Sequence, residues 1–197
     1  MKNLFKKITL LSLAILLLGC SKDSPTSNDN DCAPIACLNG GVSRSDCGCD
    51  CLQGYTGSNC SSQITPSSIT ITKIRVKQFP DTENGSWWDT FPNSDADIYV
   101  TLVNTSSATI YTSNYYTNAS GLGTTYYDFI PTTPITITNV MSALSIKLYD
   151  YENVGSDTLM DYLFFNPYSS TGGFPTILTK SSADGAFVCE ISLQYAW

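Results

Sequence analysis

The chain has 197 residues, a formal net charge of −7, no histidine and eight cysteines. Without histidine, Ser-His-Asp and Cys-His catalysis, His-based zinc hydrolysis and pH switching near neutrality are all excluded, and an enzyme would have to work with carboxylate pairs. The acidic balance argues against nucleic acid, and against an anionic lipid surface held by charge alone, while suiting solubility and divalent cations.

Lys2, Lys6 and Lys7 precede an apolar run from Ile8 to Leu18, the layout of an export signal. The run is shorter than the ~20 residues of a durable transmembrane helix. It closes on Leu17-Leu18-Gly19-Cys20, which resembles the lipobox of bacterial lipoproteins. The resemblance implies that residues 1–19 are removed as a signal peptide and that Cys20 becomes a palmitate-bearing first residue. Several acyl chains, at ~0.8 kcal/mol per buried methylene, make a lasting membrane anchor. Seven basic residues would then face seventeen acids, taking the net charge to about −10. Residues 20–31 follow as a flexible tether, since 21–31 hold no large apolar side chain to offset the entropy of ordering. Ser21 after the lipidated residue resembles lipoproteins sorted to the outer membrane, and Lys22-Asp23 resembles signals for export to the cell surface.

Six cysteines (Cys32, Cys37, Cys47, Cys49, Cys51 and Cys60) fall within residues 32–60, which in an exported chain reads as a disulfide framework. About thirty residues cannot enclose a core, so crosslinks must replace it, each contributing ~2–4 kcal/mol. Sequence alone permits fifteen connectivities. The run from Cys49-Asp50-Cys51 through Gly54-Tyr55-Thr56-Gly57 to Cys60, with Asn39-Gly40-Gly41 upstream, resembles EGF-like modules. That resemblance implies the pairs Cys32–Cys47, Cys37–Cys49 and Cys51–Cys60. The chain departs from the family in its third cysteine, delayed to Cys47 with only Gly48 before Cys49. Gly54 and Gly57 fit a turn needing positive φ, with Tyr55 placed over the bridges. Calcium-binding versions use acids before the first cysteine. Asp29 and Asp31 are present but no glutamate adjoins Cys32, so the module reads as a stapled spacer or contact element.

Residues 61–67 are expected to be a linker, and 68–197 a second domain rich in Thr, Tyr, Ile and Val. Short alternating runs bounded by Gly, Pro, Asn and Ser predict strands. The first carries Ile69, Ile71, Ile74 and Val76 with one register adjustment, and the next spans 97–103. Others cover 109–116, 124–130, 135–139 and 144–149, and the last places Phe187, Cys189, Ile191, Leu193, Tyr195 and Trp197 on one face. About eight strands and no helical periodicity predict a mainly β fold, an antiparallel β-sandwich. Cys189 belongs to the apolar face and reads as a small core hydrophobe.

Two acid-bearing stretches stand out, 87–100 and 148–160. Both resemble the calcium loops of C2 domains. Asp97-Ile98-Tyr99-Val100 stands for the segment entering a strand, Asp95 is an alternative six residues after Asp89, and Asp150, Glu152 and Asp157 stand for the acids of the other loop. The resemblance implies a C2-like sandwich with calcium as the candidate cation held by Asp89, Asp95, Asp97, Asp150, Glu152 and Asp157. Calcium takes six to eight oxygens at ~2.3–2.6 Å, and converging loop carboxylates supply them. The alternative is that these acids are solvated turn residues. Trp87 and Trp88 adjoin the first stretch, and adjacent residues of an extended segment point opposite ways. One is expected inside and the other displayed as a contact anchor.

These features predict a non-enzymatic, membrane-anchored binding or adhesion protein with a protein or glycan ligand. The rivals are a glycan hydrolase using Asp150 with Glu152 or Asp89, and a purely structural envelope protein.

Overall fold

A computed structural model describes residues 35–89, 95–121 and 124–197 of the chain. The signal segment, the 20–31 tether, Cys20 and Cys32 lie outside the described residues. Two compact units divide at Cys32 and Ala33, and the described residues all belong to the second. No helix occurs among them, so none is long and apolar enough to cross a membrane.

The disulfide-bonded module is built from two short ladders. β1 (Val42–Ser43) pairs with β2 (Cys49–Asp50), and β3 (Tyr55–Thr56) with β4 (Ser62–Gln63). Cys37 is bonded to Cys49 and Cys51 to Cys60, and Cys47 is also disulfide-bonded. β4 falls within the expected linker, so 61–67 is not a free spacer. Its Gln63 pairs with Tyr55, and the Ile64 carbonyl accepts a hydrogen bond from Trp197 Nε1 at 3.3 Å.

Tyr55 reaches out of the module. Its ring meets Phe174 of the larger domain edge-on, with centroids 5.2 Å apart, and Phe174 in turn touches Tyr195 and Trp197 at 5.3 and 5.1 Å. Gly54 is buried against this cluster, where a Cβ would stand 2.6 Å from both Phe174 and Trp197. Its φ of 91° already favours glycine.

The larger domain consists of two antiparallel sheets around one core. β5 (Ser68–Gln78) is followed by a hairpin, β6 (Thr82–Glu83) and β7 (Ser86–Trp87). Then come β8 (Ala96–Val103), β9 (Thr109–Thr112), β10 (Tyr116–Ala119), β11 (Tyr127–Phe129) and β12 (Ile135–Ile137). β13 (Leu144–Asp150), β14 (Thr158–Phe165), β15 (Ile177–Ser181) and β16 (Val188–Ala196) complete the chain. One sheet runs β10-β8-β13-β14 with β9 also on β8; the other runs β11-β5-β16-β15 with β12 also on β5. Since β9–β10 and β11–β12 are each one interrupted edge strand, the sandwich is effectively four strands on four, the expected antiparallel β-sandwich.

Ile69, Ile71, Ile74 and Val76 are fully buried, and the adjustment between Ile71 and Ile74 is a bulge against β16 at Ser192 and Leu193. Ile98, Val100, Leu102, Ile146, Leu148, Phe187, Cys189 and Ile191 fill the space between the sheets. The Cys189 thiol is buried and unpaired, and burial pushes it well above the ordinary thiol range, so it is unreactive as a nucleophile. Residues 109–116 break at 113–115. β14 and β15 are strands that the sequence pattern does not predict; β14 carries apolar residues on both faces (Phe164 outward, Leu163 inward) and so shows no alternation.

Gly54 and Gly57 separate backbone strain from packing. Both have positive φ, 91° and 96°, but a Cβ on Gly57 would meet nothing nearer than 3.7 Å. Gly57→Ala is expected to lose about 1–2 kcal/mol in urea unfolding, from backbone conformation alone. Gly54→Ala should lose clearly more, with the excess measuring the docking of the module on Phe174 and Trp197.

Candidate metal centre

β13 alternates inward Leu144, Ile146 and Leu148 with outward neighbours, and Asp150 continues the inward series. Parity therefore carries a carboxylate to the core side at the strand end, where it is 0% exposed. Its Oδ1 accepts a hydrogen bond from the Asp97 amide of β8 at 2.8 Å, and Oδ2 has no hydrogen-bond partner among the described residues. Asp89, which follows the β6–β7 hairpin, and Glu152, just past β13, bring their carboxylates to the same place. Ligand oxygens of Asp89, Asp150 and Glu152 all lie within 4.8 Å of one another.

No Lys or Arg among the described residues forms an ion pair with any of the three. Burial, more than neighbouring charge, pushes the Asp150 carboxyl up to about 6; Asp89, Glu152 and Asp97 add repulsion, and the Asp97 amide opposes it. Asp89 is also raised, by burial first and then by Asp97.

The other three candidate acids do not join the cluster. Asp97 turns its Oδ1 to the Asn118 amide at 2.9 Å, and its carbonyl accepts from the Tyr151 amide at 2.7 Å. Asp157 accepts from Tyr99 Oη at 2.7 Å through Oδ2 and from the Glu152 amide at 3.0 Å through Oδ1. It therefore closes the 151–157 loop and fixes the backbone from which Glu152 projects. Asp95 acts instead, with Asp81, to raise the Tyr127 phenol, after burial, which is the larger cause. Parallel stacks of Tyr99 on Tyr149 (5.2 Å) and Tyr115 on Tyr151 (4.5 Å) brace the same end of the sheet.

Trp88 packs against the core and donates from Nε1 to the Pro80 carbonyl at 2.8 Å, whereas Trp87 is 51% exposed. Consecutive positions of an extended segment face opposite ways, which accounts for the split.

Oxygens bound to one hard divalent cation at ~2.4 Å lie no more than about 5 Å apart. The spacing of Asp89, Asp150 and Glu152 meets that limit, and the unpartnered, water-excluded Oδ2 of Asp150 is the kind of atom a cation would satisfy. Chemically, the cluster is a hard-oxygen site with a net negative charge to neutralise.

No family model matches the sequence, and no curated protein matches it. Among solved structures, the chain is similar to a C2 domain (TM-score 0.43, 10% identity, 66% of this chain and 98% of that one). It is also similar to human GIVD cytosolic phospholipase A2 (0.47, 16%, 67% of this chain and 17% of that one) and to a C2 domain of plant Extended Synaptotagmin 1 (0.38, 13%, 68% and 97%). The chain thus spans about a sixth of the phospholipase.

The raised Asp150 value sets a sign for the cation-free protein. The fold holds the proton more tightly than the unfolded chain, so the stabilisation is complete below about pH 4 and is lost as pH rises through 6. Asp150→Asn keeps an oxygen for the Asp97 amide and removes the buried charge. In chelator at pH 7.5 it should be more stable than the parent by on the order of 2 kcal/mol, the gain vanishing near pH 4, as read by thermal or urea unfolding.

Proposed function

We propose that the chain is a lipid-anchored extracytoplasmic binding protein whose sandwich holds calcium between Asp89, Asp150 and Glu152. The observation that carries the cation is Asp150, fully buried with one oxygen unpartnered and two further carboxylates beside it. Three acids supply three or more of the six to eight oxygens that calcium takes, with backbone carbonyls and water available for the rest. Outside a cell, affinities of ~10⁻⁴–10⁻³ M suffice.

Binding rather than catalysis fits the same geometry. A hydrolase built on Asp150 would need that carboxyl at a sugar cleft, and its full burial keeps it from a glycosidic bond. Anionic lipid is a poor ligand for the outer face of β5, because its basic side chains are already paired: Arg75 with Asp128 at 2.6 Å and Lys77 with Glu190 at 2.8 Å. The module at 32–60 then acts as an EGF-like spacer between the tether and the sandwich, and the exposed Trp87 beside the acids is the contact anchor for a protein or glycan ligand.

Location rests on Leu17-Leu18-Gly19-Cys20, with the outer membrane as the site of anchorage and the sandwich outside the cytoplasm. Metabolic labelling with a palmitate analogue should mark the protein, and Cys20→Ser should remove the label and leave an unprocessed precursor. Normal labelling of Cys20→Ser would overturn the anchor.

Calcium at ~10 mM should stabilise the fold by about 1.4–2.7 kcal/mol for dissociation constants of ~10⁻³–10⁻⁴ M, raising the melting temperature by roughly 3–10 °C. Asp150→Asn and Glu152→Gln should abolish the shift, and Asp95→Asn should leave it intact. An unchanged melting temperature of the parent at that concentration ends the calcium reading.

A further inference from the structure

One long edge of the sandwich, where β9–β10 of the first sheet face β11–β12 of the second, carries two adjoining grooves of about 690 and 410 Å³. They share Tyr111, Thr112 and Thr132 and so adjoin, and the smaller is lined by one charged residue, Asp128, which is paired with Arg75. No Asp, Glu, Lys or Arg lines the larger part, although the chain carries seventeen acids and ten bases. Its polar lining is instead hydroxyl and amide, from residues such as Thr105, Thr133, Thr136, Thr138 and Asn139. Tyr111 lies at the junction of the two parts and packs against the core as well, which holds its ring in place.

We propose that this edge binds a neutral oligosaccharide. A sugar presents hydroxyls that donate and accept, and Thr and Asn side chains offer both in return. A ring fixed by core packing gives an apolar platform at little entropic cost, with an adjacent hydroxyl of its own. A charged ligand would be desolvated here without a counter-charge, which disfavours it.

The same edge is poorly suited to an added peptide strand or to a second copy of the chain paired edge to edge. Strand addition needs an unbroken row of backbone donors and acceptors. One wall is interrupted between β9 and β10 and bulged where β9 meets Leu102 and Val103, and the other presents Pro131 and Pro134, which have no N–H to give. This proposal names a ligand class for the binding role proposed above, but at a place that shares no residue with the Asp89–Asp150–Glu152 cluster, so it is tested in chelator.

The full-length chain, purified in a sugar-free detergent, is titrated calorimetrically with neutral hexaoses of glucose, mannose, galactose and N-acetylglucosamine. At least one should bind with a dissociation constant of about 1 mM or tighter. Hydrogen exchange should then slow in residues 104–112 and 131–142. Tyr111→Ala should weaken binding about tenfold or more, and Thr136→Val, at an exposed position, about threefold with an unchanged melting temperature. Should Tyr111→Ala fold poorly, Thr136→Val and the exchange footprint decide. Absence of binding by all four sugars overturns the proposal, as does binding indifferent to Thr136→Val with no footprint on these segments. Capture of an extended peptide or self-association at this edge, lost in Thr136→Val, would equally overturn it. A calcium titration that fails while the sugar titration succeeds removes the cation site alone, and the reverse removes this site alone.

Discussion

The Asp150 carboxylate, taken out of water at the end of β13, is the constraint around which the acidic end of the sandwich is arranged. Its Oδ1 is held by the Asp97 amide, so the β8–β13 ladder that builds the sheet also aims the carboxylate. Desolvating an ionised carboxyl costs several kcal/mol even after relaxation, and a well-packed apolar side chain would cost less. One amide hydrogen bond does not offset that, and Asp89 and Glu152 add like charge rather than relief. The fold thus holds a local deficit that either a proton or a cation removes.

The neighbouring acids divide into those that face the cluster and those that hold it in shape. Asp157 spends both oxygens on Tyr99 and the Glu152 amide, and Asp97 spends its side chain on Asn118. These are struts. Their bonds fix the loops before any ligand arrives, which lowers the ordering entropy that binding would otherwise have to overcome. The stacked tyrosine pairs add packing at the same end. Loss of a strut would act indirectly, through the position of Glu152, whereas loss of Asp150 removes the buried charge itself.

Legibility in the sequence followed the clarity of alternation. The long partners β5 and β16 bury every second side chain, as does the central β13 from Ile146 onward, so their strands and core faces could be read directly. β14 could not, because Leu159, Tyr162 and Phe164 are exposed apolar residues opposite buried Leu163 and Phe165, and the period disappears. The gathering of acids at one end was readable from their place at strand–turn junctions. Which of the six converge was not, since that depends on Asn118 of β10 and Tyr99 of β8, which engage Asp97 and Asp157. The burial of Asp150 did leave a signal: it shares the parity of Leu144, Ile146 and Leu148. The docking of the module was hidden for the opposite reason, as Gly54, Phe174 and Trp197 lie far apart in sequence and meet only in three dimensions.

That docking gives the molecule a direction. The module enters at the start of β5, where Ser67 donates to the carbonyl of Ala196 and Trp197 reaches back to Ile64. β5 then runs eleven residues, a rise of about 35 Å, before the chain turns through the β6–β7 hairpin and Asp89 into the start of β8. Because the strands of a sandwich stay roughly aligned, the carboxylate cluster lies at the end remote from the module. The aromatic joint of Tyr55, Phe174 and Trp197 thus lies at one end of the core and the carboxylates at the other. A freely jointed module would let the acidic end swing back toward it; a docked one, with no room for a Cβ at Gly54, holds that end and the open β9–β12 edge at a fixed direction from the module.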